Sequence, residues 1–155
     1  MGIVKCCREQ VVAVSPDTPA VEVARIMGGE KNVGSVVVVT GDNRPTGIVT
    51  DRDLAIRVTA QERNPGEVRV SDILTRGGVI TFRDSMGGIY EAIQKMTAEG
   101  IRRMPIVDDG GKLIGIITMD DIVRMLGGEE MAAIAKNIEK QSPPMPEAAA
   151  PPIPM

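Results

Sequence analysis

Apolar positions along the chain fall into short runs separated by turn residues, and the runs come in the same order twice. Val11-Val12-Ala13-Val14 reads as a short strand, and Ser15-Pro16-Asp17-Thr18-Pro19 supplies turn chemistry and a helix start. Val21, Ala24 and Met27 then recur at helical spacing until Gly28-Gly29 breaks the pattern. Residues 35–39 contain four consecutive valines, a run too short to cross a membrane that predicts a strand buried on both faces. A turn at 40–44, a returning strand at 45–49 and a helix from 51 to about 59 complete the first unit. The second half predicts a strand around 79–82, a helix from about 86 to 98, a strand at 104–107, the turn Asp108-Asp109-Gly110-Gly111, a strand at 113–117 and a helix from Met119.

The two halves match in letters as well as in pattern. Gly47-Ile48-Val49-Thr50-Asp51-Arg52-Asp53 returns 68 residues on as Gly115-Ile116-Ile117-Thr118-Met119-Asp120-Asp121. Upstream, Glu22 to Met27 falls on Glu91 to Met96 at an offset of 69, which puts one extra residue, as in a loop, between Met27 and Asn32 of the first copy. A period this long, present twice, predicts two fused copies of one unit rather than a solenoid. The expected fold is α+β: two β-α-β-β-α repeats, at 8–66 and 67–127, packed with pseudo-twofold symmetry and carrying two equivalent sites. Residues 70–74 predict a short capped helical turn. Residues 129–140 predict a further helix, and 141–155, with six of the eleven prolines, predict a disordered tail.

Composition narrows the function. One Phe, one Tyr and no Trp leave aliphatic packing and ten methionines to fill the core. A formal charge of −3 with so few aromatic rings argues against nucleic acid as a partner. The absence of histidine removes imidazole catalysis and most zinc sites, and adjacent Cys6 and Cys7 form neither an ordinary disulfide nor a CxxC pair. No run suits a signal peptide or membrane span, so a cytoplasmic location, no membrane partner, no metal and no cofactor are expected. No nucleophile and base pair stands out, and the expectation is a non-enzyme.

Thr50 with Asp53, and Thr118 with Asp121, have the spacing of a helix N-cap with a carboxylate at the third helical position, an arrangement that needs no ligand. The same helix start also offers free amides to a phosphate. With both signatures, the Glu91-Ala92 and Met96 helix pattern, and Arg102-Arg103-Met104-Pro105-Ile106-Val107 before the second hairpin, the chain resembles a tandem pair of cystathionine β-synthase (CBS) domains, a Bateman module of the stand-alone bacterial type. The resemblance covers most of residues 8–127. It implies a regulatory sensor that binds an adenine nucleotide (AMP, ADP or ATP) or a related adenosyl compound in clefts between the repeats.

In that family the signature threonine approaches phosphate, which carries over to Thr50 and Thr118. The aspartate holds the ribose hydroxyls, which carries over to Asp53 and Asp121. The strand before the hairpin lines the base pocket, at Val37 in the first copy and at Met104 and Pro105 in the second. Arg52, Arg102 and Arg103 resemble phosphate-facing cations. Because Asp120 stands where the first copy has Arg52, the first site is expected to take phosphate better. The resemblance also implies a homodimer and a regulated protein partner of unknown identity. The alternative is a dimerising adaptor that binds no ligand.

Overall fold

The computed structural model describes residues 3, 7, 10–30, 32–74, 79–128 and 136; the helix expected at 129–140, apart from its residue 136, and the tail expected at 141–155 lie outside them. The first repeat runs β1 (Ala13–Val14), α1 (Ala20–Gly28), β2 (Ser35–Val39), β3 (Pro45–Thr50) and α2 (Asp51–Leu54). The second runs β4 (Phe82–Arg83), α3 (Ile89–Glu99), β5 (Arg103–Val107), β6 (Leu113–Thr118) and α4 (Met119–Leu126). Each repeat forms a three-stranded sheet, ordered β1-β2-β3 and β4-β5-β6. In each, the first two strands pair in parallel across a helical crossover and the last two form an antiparallel hairpin. The fold is thus the expected α+β arrangement.

The hairpin registers coincide residue for residue. Ser35 faces Thr50 as Arg103 faces Thr118, and Val38 faces Gly47 as Ile106 faces Gly115. Both hairpins then slip at one place, where Val39 meets Pro45 and Val107 meets Leu113. Thr46 and Ile114 are the extra residues of matching β-bulges, which bend the strand and re-aim the side chains beyond it.

Alternation along the strands sorts the valines and isoleucines into three clusters. Val36, Val38 and Val49 face α1 with Val23 and Met27, while Met104, Ile106 and Ile117 face α3 and α4 with Met96 and Ile122. The opposite faces meet each other: Val37 packs with Leu113 and Ile116, beside Ile48. Both faces of each hairpin are therefore buried, as the valine run predicts.

Each core also takes in residues from the segment that precedes the other repeat. Val68, Val70 and Ile73, just ahead of the second repeat's strands, pack in the first core, and Ile3 packs in the second. The segment is pinned by Val70 N–H donating to the Thr18 carbonyl at 2.9 Å and Ser71 N–H donating to the Pro16 carbonyl at 3.0 Å. Ile73 is 1% exposed, and Leu74 lies so close that a Cβ on Gly47 would come within 2.5 Å of it. The expected turn at 70–74 is a 3-10 turn at Val70–Asp72.

Two expected helices differ in detail. The first, expected at 51–59, is α-helical only to Leu54 and continues as a π-helical turn at Ala55–Thr59, where Ala60 N–H reaches the Ala55 carbonyl at 2.8 Å. The wider turn brings Val58 into the core at 3% exposure. The second, expected from Met86, starts at Ile89 after a separate 3-10 turn at Asp84–Met86. Gly87, at φ 149°, breaks the path between them, and Glu91 reaches back to accept from Gly88 N–H at 2.8 Å. Hydrogen bonds from the backbone amides of Glu91 itself and of Gly88 hold that carboxyl below the usual carboxylate range.

The repeats also join through backbone. Asn43, at φ 62°, occupies the left-handed position of the first hairpin turn, where Asn is tolerated. Its carbonyl accepts from Leu113 N–H at 2.9 Å and its side-chain amide donates to the Leu113 carbonyl at 3.0 Å. The symmetry-related exchange is chemically barred, because Gly111 has no side chain and Pro45 has no N–H.

Candidate functional site

Each hairpin's last strand ends at the signature threonine, and the chain turns there into a helix. The turn is fixed the same way twice: Asp51 N–H donates to the Gly34 carbonyl at 3.2 Å, and Met119 N–H to the Arg102 carbonyl at 2.9 Å. Thr50 and Thr118 are both N-caps, accepting from the amides of Asp53 and Asp121, each at 3.2 Å. Asp53 Oδ2 also accepts from Thr50 N–H at 2.9 Å and from its hydroxyl at 3.0 Å, closing a full capping box. Asp121 Oδ2 accepts from the Thr118 hydroxyl at 2.8 Å. In both caps the threonine proton is already committed to the aspartate, so donating it to a phosphate requires the hydroxyl to rotate.

The two signatures open into one cleft. A cavity of about 420 Å³, within the ordinary size of small-molecule sites of about 300–1,000 Å³, is lined by Ile48, Thr50, Asp51, Arg52 and Asp53 from the first repeat and by Ile101, Arg102, Arg103, Thr118 and Asp120 from the second. The lining therefore mixes three guanidinium groups with three carboxylates. Arg103 crosses toward the first repeat, and a Cβ on Gly34 would stand 3.3 and 3.4 Å from its two terminal nitrogens. Glycine at 34 leaves the room that the guanidinium occupies.

Of the residues singled out in the sequence, Thr50, Arg52, Asp53, Arg103 and Thr118 line this cleft, as do Arg102 and Asp120. Asp121 is half-buried in its cap. Val37 is 1% exposed between the two sheets, Met104 is fully buried in the second core, and Pro105 is buried beside it in β5; none of these three lines this cleft. Ile48, Asp51 and Ile101 are additional lining residues. Ile48 and Asp51 fall inside the signature, and Ile101 stands 68 residues after Val33, at the head of the string that matches residues 33–39 at the same offset.

Arg57 is absent from the sequence-based site and stands one turn beyond Asp53. Its Nε lies 3.7 Å from Asp53 Oδ1, and its Nη1 donates to the Ile73 carbonyl at 2.8 Å. Among the described residues no group of three or more Cys, Asp or Glu is placed to hold a metal ion, and no helix is long and apolar enough to cross a membrane.

Comparison with known proteins finds the CBS domain twice in this chain, over residues 3–59 and 70–128. Over 125 residues the chain is 46% identical to the uncharacterized protein MK0525 of Methanopyrus kandleri, a match that covers 81% of this chain and only 62% of that one. Over 134 residues it is 35% identical to the CBS domain-containing protein YhcV of Bacillus subtilis, covering 86% and 91% of the two chains. Among solved structures, the CBS domain pair of protein MJ0100, in complex with 5′-methylthioadenosine and S-adenosyl-L-methionine, has a TM-score of 0.70 at 26% identity, covering 83% of this chain and 98% of that one.

Proposed function

The chain belongs to the CBS-domain family, and from that premise we propose that it is a regulatory module that binds an adenine nucleotide or related adenosyl compound between its repeats and leaves it unchanged. The observation that carries this reading is the meeting of both signatures, with Arg52, Arg102 and Arg103, in one cleft. Guanidinium groups give paired hydrogen bonds to phosphate. Asp53 Oδ2 serves the cap, which leaves Oδ1, 3.7 Å from Arg57 Nε, to accept from ribose hydroxyls, while Ile48 and Ile101 provide apolar surface. The adenosyl ligands of the MJ0100 domain pair support the same ligand class. Arg52 makes the first signature the stronger phosphate site, and Asp120 weakens the second.

Occupancy then regulates association with a partner protein, in the cytoplasm. The helices after both signatures leave Ile56, Met125 and Leu126 at 45%, 41% and 63% exposure, a surface that a second copy of the chain covers in a homodimer. One observation favours the adaptor alternative: the cleft offers adenine no aromatic ring to stack on. Calorimetry with AMP, ADP, ATP, S-adenosylmethionine and NAD, followed by recovery of the ligand, decides. Binding with unchanged ligand supports the sensor; silence across the set supports the adaptor, and a stoichiometric product overturns the non-enzymatic reading.

A further inference from the structure

The side chain of Arg57 touches two things that the sequence keeps apart. One is the Asp53 carboxylate of the first signature, at 3.7 Å. The other is the carbonyl of Ile73, at 2.8 Å, in the segment that joins the repeats. The ion pair is partly open to water, with the Arg57 and Asp53 side chains 37% and 20% exposed. The carbonyl bond belongs to a residue that is itself 1% exposed. Arg57 lies inside the π-helical turn Ala55–Thr59, a wide turn of a kind often found at functional sites. At the equivalent position the second repeat has Met125, whose thioether has no N–H to give to a carbonyl.

We propose that Arg57 is a positioning residue that holds Asp53 in its cleft-facing posture and ties that posture to the seating of the inter-repeat segment at Ile73. A guanidinium suits both tasks because it is planar, permanently charged and able to donate in two directions. A ligand that engages Asp53 then steadies the segment, and a seated segment favours the ligand, since coupling of this kind is reciprocal. The ligand part of the proposal rests on the adenosyl reading of the cleft; the link between Asp53 and Ile73 does not.

The test uses the full chain and Arg57→Met, the residue found in the second repeat. Without ligand, amide exchange is followed at Thr50, whose N–H is held by Asp53, and at Val70 and Ile73. R57M is expected to speed exchange about fivefold to tenfold at both places, the loss expected for one ordinary hydrogen bond, and to leave α3 unchanged. Should R57M fail to fold, Arg57→Lys is expected to shift both places in the same direction by a smaller factor. Change at one place alone, or at neither, overturns the link.

With ligand, affinity is compared for AMP and for its 2′,3′-dideoxy analogue, which lacks the ribose hydroxyls that Asp53 would accept from. R57M is expected to weaken AMP about tenfold and the analogue much less. Equal weakening of both assigns Arg57 a merely structural role and overturns the positioning claim. If the wild-type protein binds neither, the adenosyl reading fails, and the exchange comparison still decides whether Arg57 links the two places.

Discussion

The two repeats share the backbone of their hairpins and threonine caps and differ in what that backbone carries. Hairpin register, bulge position, threonine cap and the amide bond that starts the last helix recur at one offset. Yet the first copy has Gly34, Arg52 and Arg57 where the second has Arg102, Asp120 and Met125. In the shared cleft this sets Arg52 of the first copy and Arg102 and Arg103 of the second beside the carboxylates of Asp51, Asp53 and Asp120, with the Arg103 guanidinium reaching Gly34 of the first repeat. Duplication built the chamber, and divergence has made its two contributions differ in charge. The lesson is that a doubled motif fixes where a site lies but not that its halves are equal.

The exchanged segments bury apolar residues of one repeat's lead-in within the other's core, and removing one of them gives the largest expected effect. Ile73→Ala, at a residue 1% exposed in the first core, should cost about 2–5 kcal/mol by lost burial and the cavity left behind. Denaturant unfolding of that variant beside Ile3→Ala, 1% exposed in the second core, measures whether the two exchanges carry equal weight. A cost below about 1 kcal/mol at Ile73 would show that the segment is not part of the first core.

Charge asymmetry in the cleft gives the next effect. Arg52→Ala should weaken nucleotide binding by about 1.5–3 kcal/mol, the range for hydrogen bonds to charged groups, while Asp120→Ala should leave it intact or improve it. Calorimetry on both variants reads the difference directly. Equal losses from the two changes would restore symmetry to the sites.

The caps should be closer to equal. Thr50→Ala and Thr118→Ala each remove a side-chain acceptor at a helix start, worth about 1 kcal/mol, and thermal unfolding should show similar losses. The smallest effect concerns the second repeat alone. Glu91 has its carboxyl lowered by backbone hydrogen bonds, so the stability it adds is present above its unfolded pKa and is lost as pH falls through the folded value. Relative to wild type, Glu91→Gln should therefore lose less stability as the solution is acidified below the ordinary value of 4.5. An unchanged acid profile would mean that the cap carries no weight.

Much of this was legible in the chain because it was local or repeated. Short apolar runs such as the four valines Val36 to Val39 gave the strands, and the turns between them gave the hairpins. The doubled Thr-x-x-Asp placed both caps and led to five of the residues that line the cleft. What the sequence hid was long-range or conformational. Nothing in Ile73 or Ile3 announces that each completes the other repeat's core, since any apolar residue would look the same. Arg57 reads as one more exposed helical charge until the π-helical turn aims it at a carbonyl sixteen residues on. The late start of α3 depends on Gly87 taking φ 149°, a choice that glycine permits but does not dictate.

We propose that both signatures serve one ligand cleft and that the first dominates it. An amide-resolved NMR titration of the full chain with AMP tests this most directly, with Thr50 and Thr118 as reporters at the two helix starts. Resonances of Thr50, Arg52 and Arg103 are expected to shift first and saturate together, with Thr118 and Asp120 following at higher ligand concentration. Shifts confined to residues outside the cleft, or Thr118 and Asp120 saturating before Thr50, would contradict it.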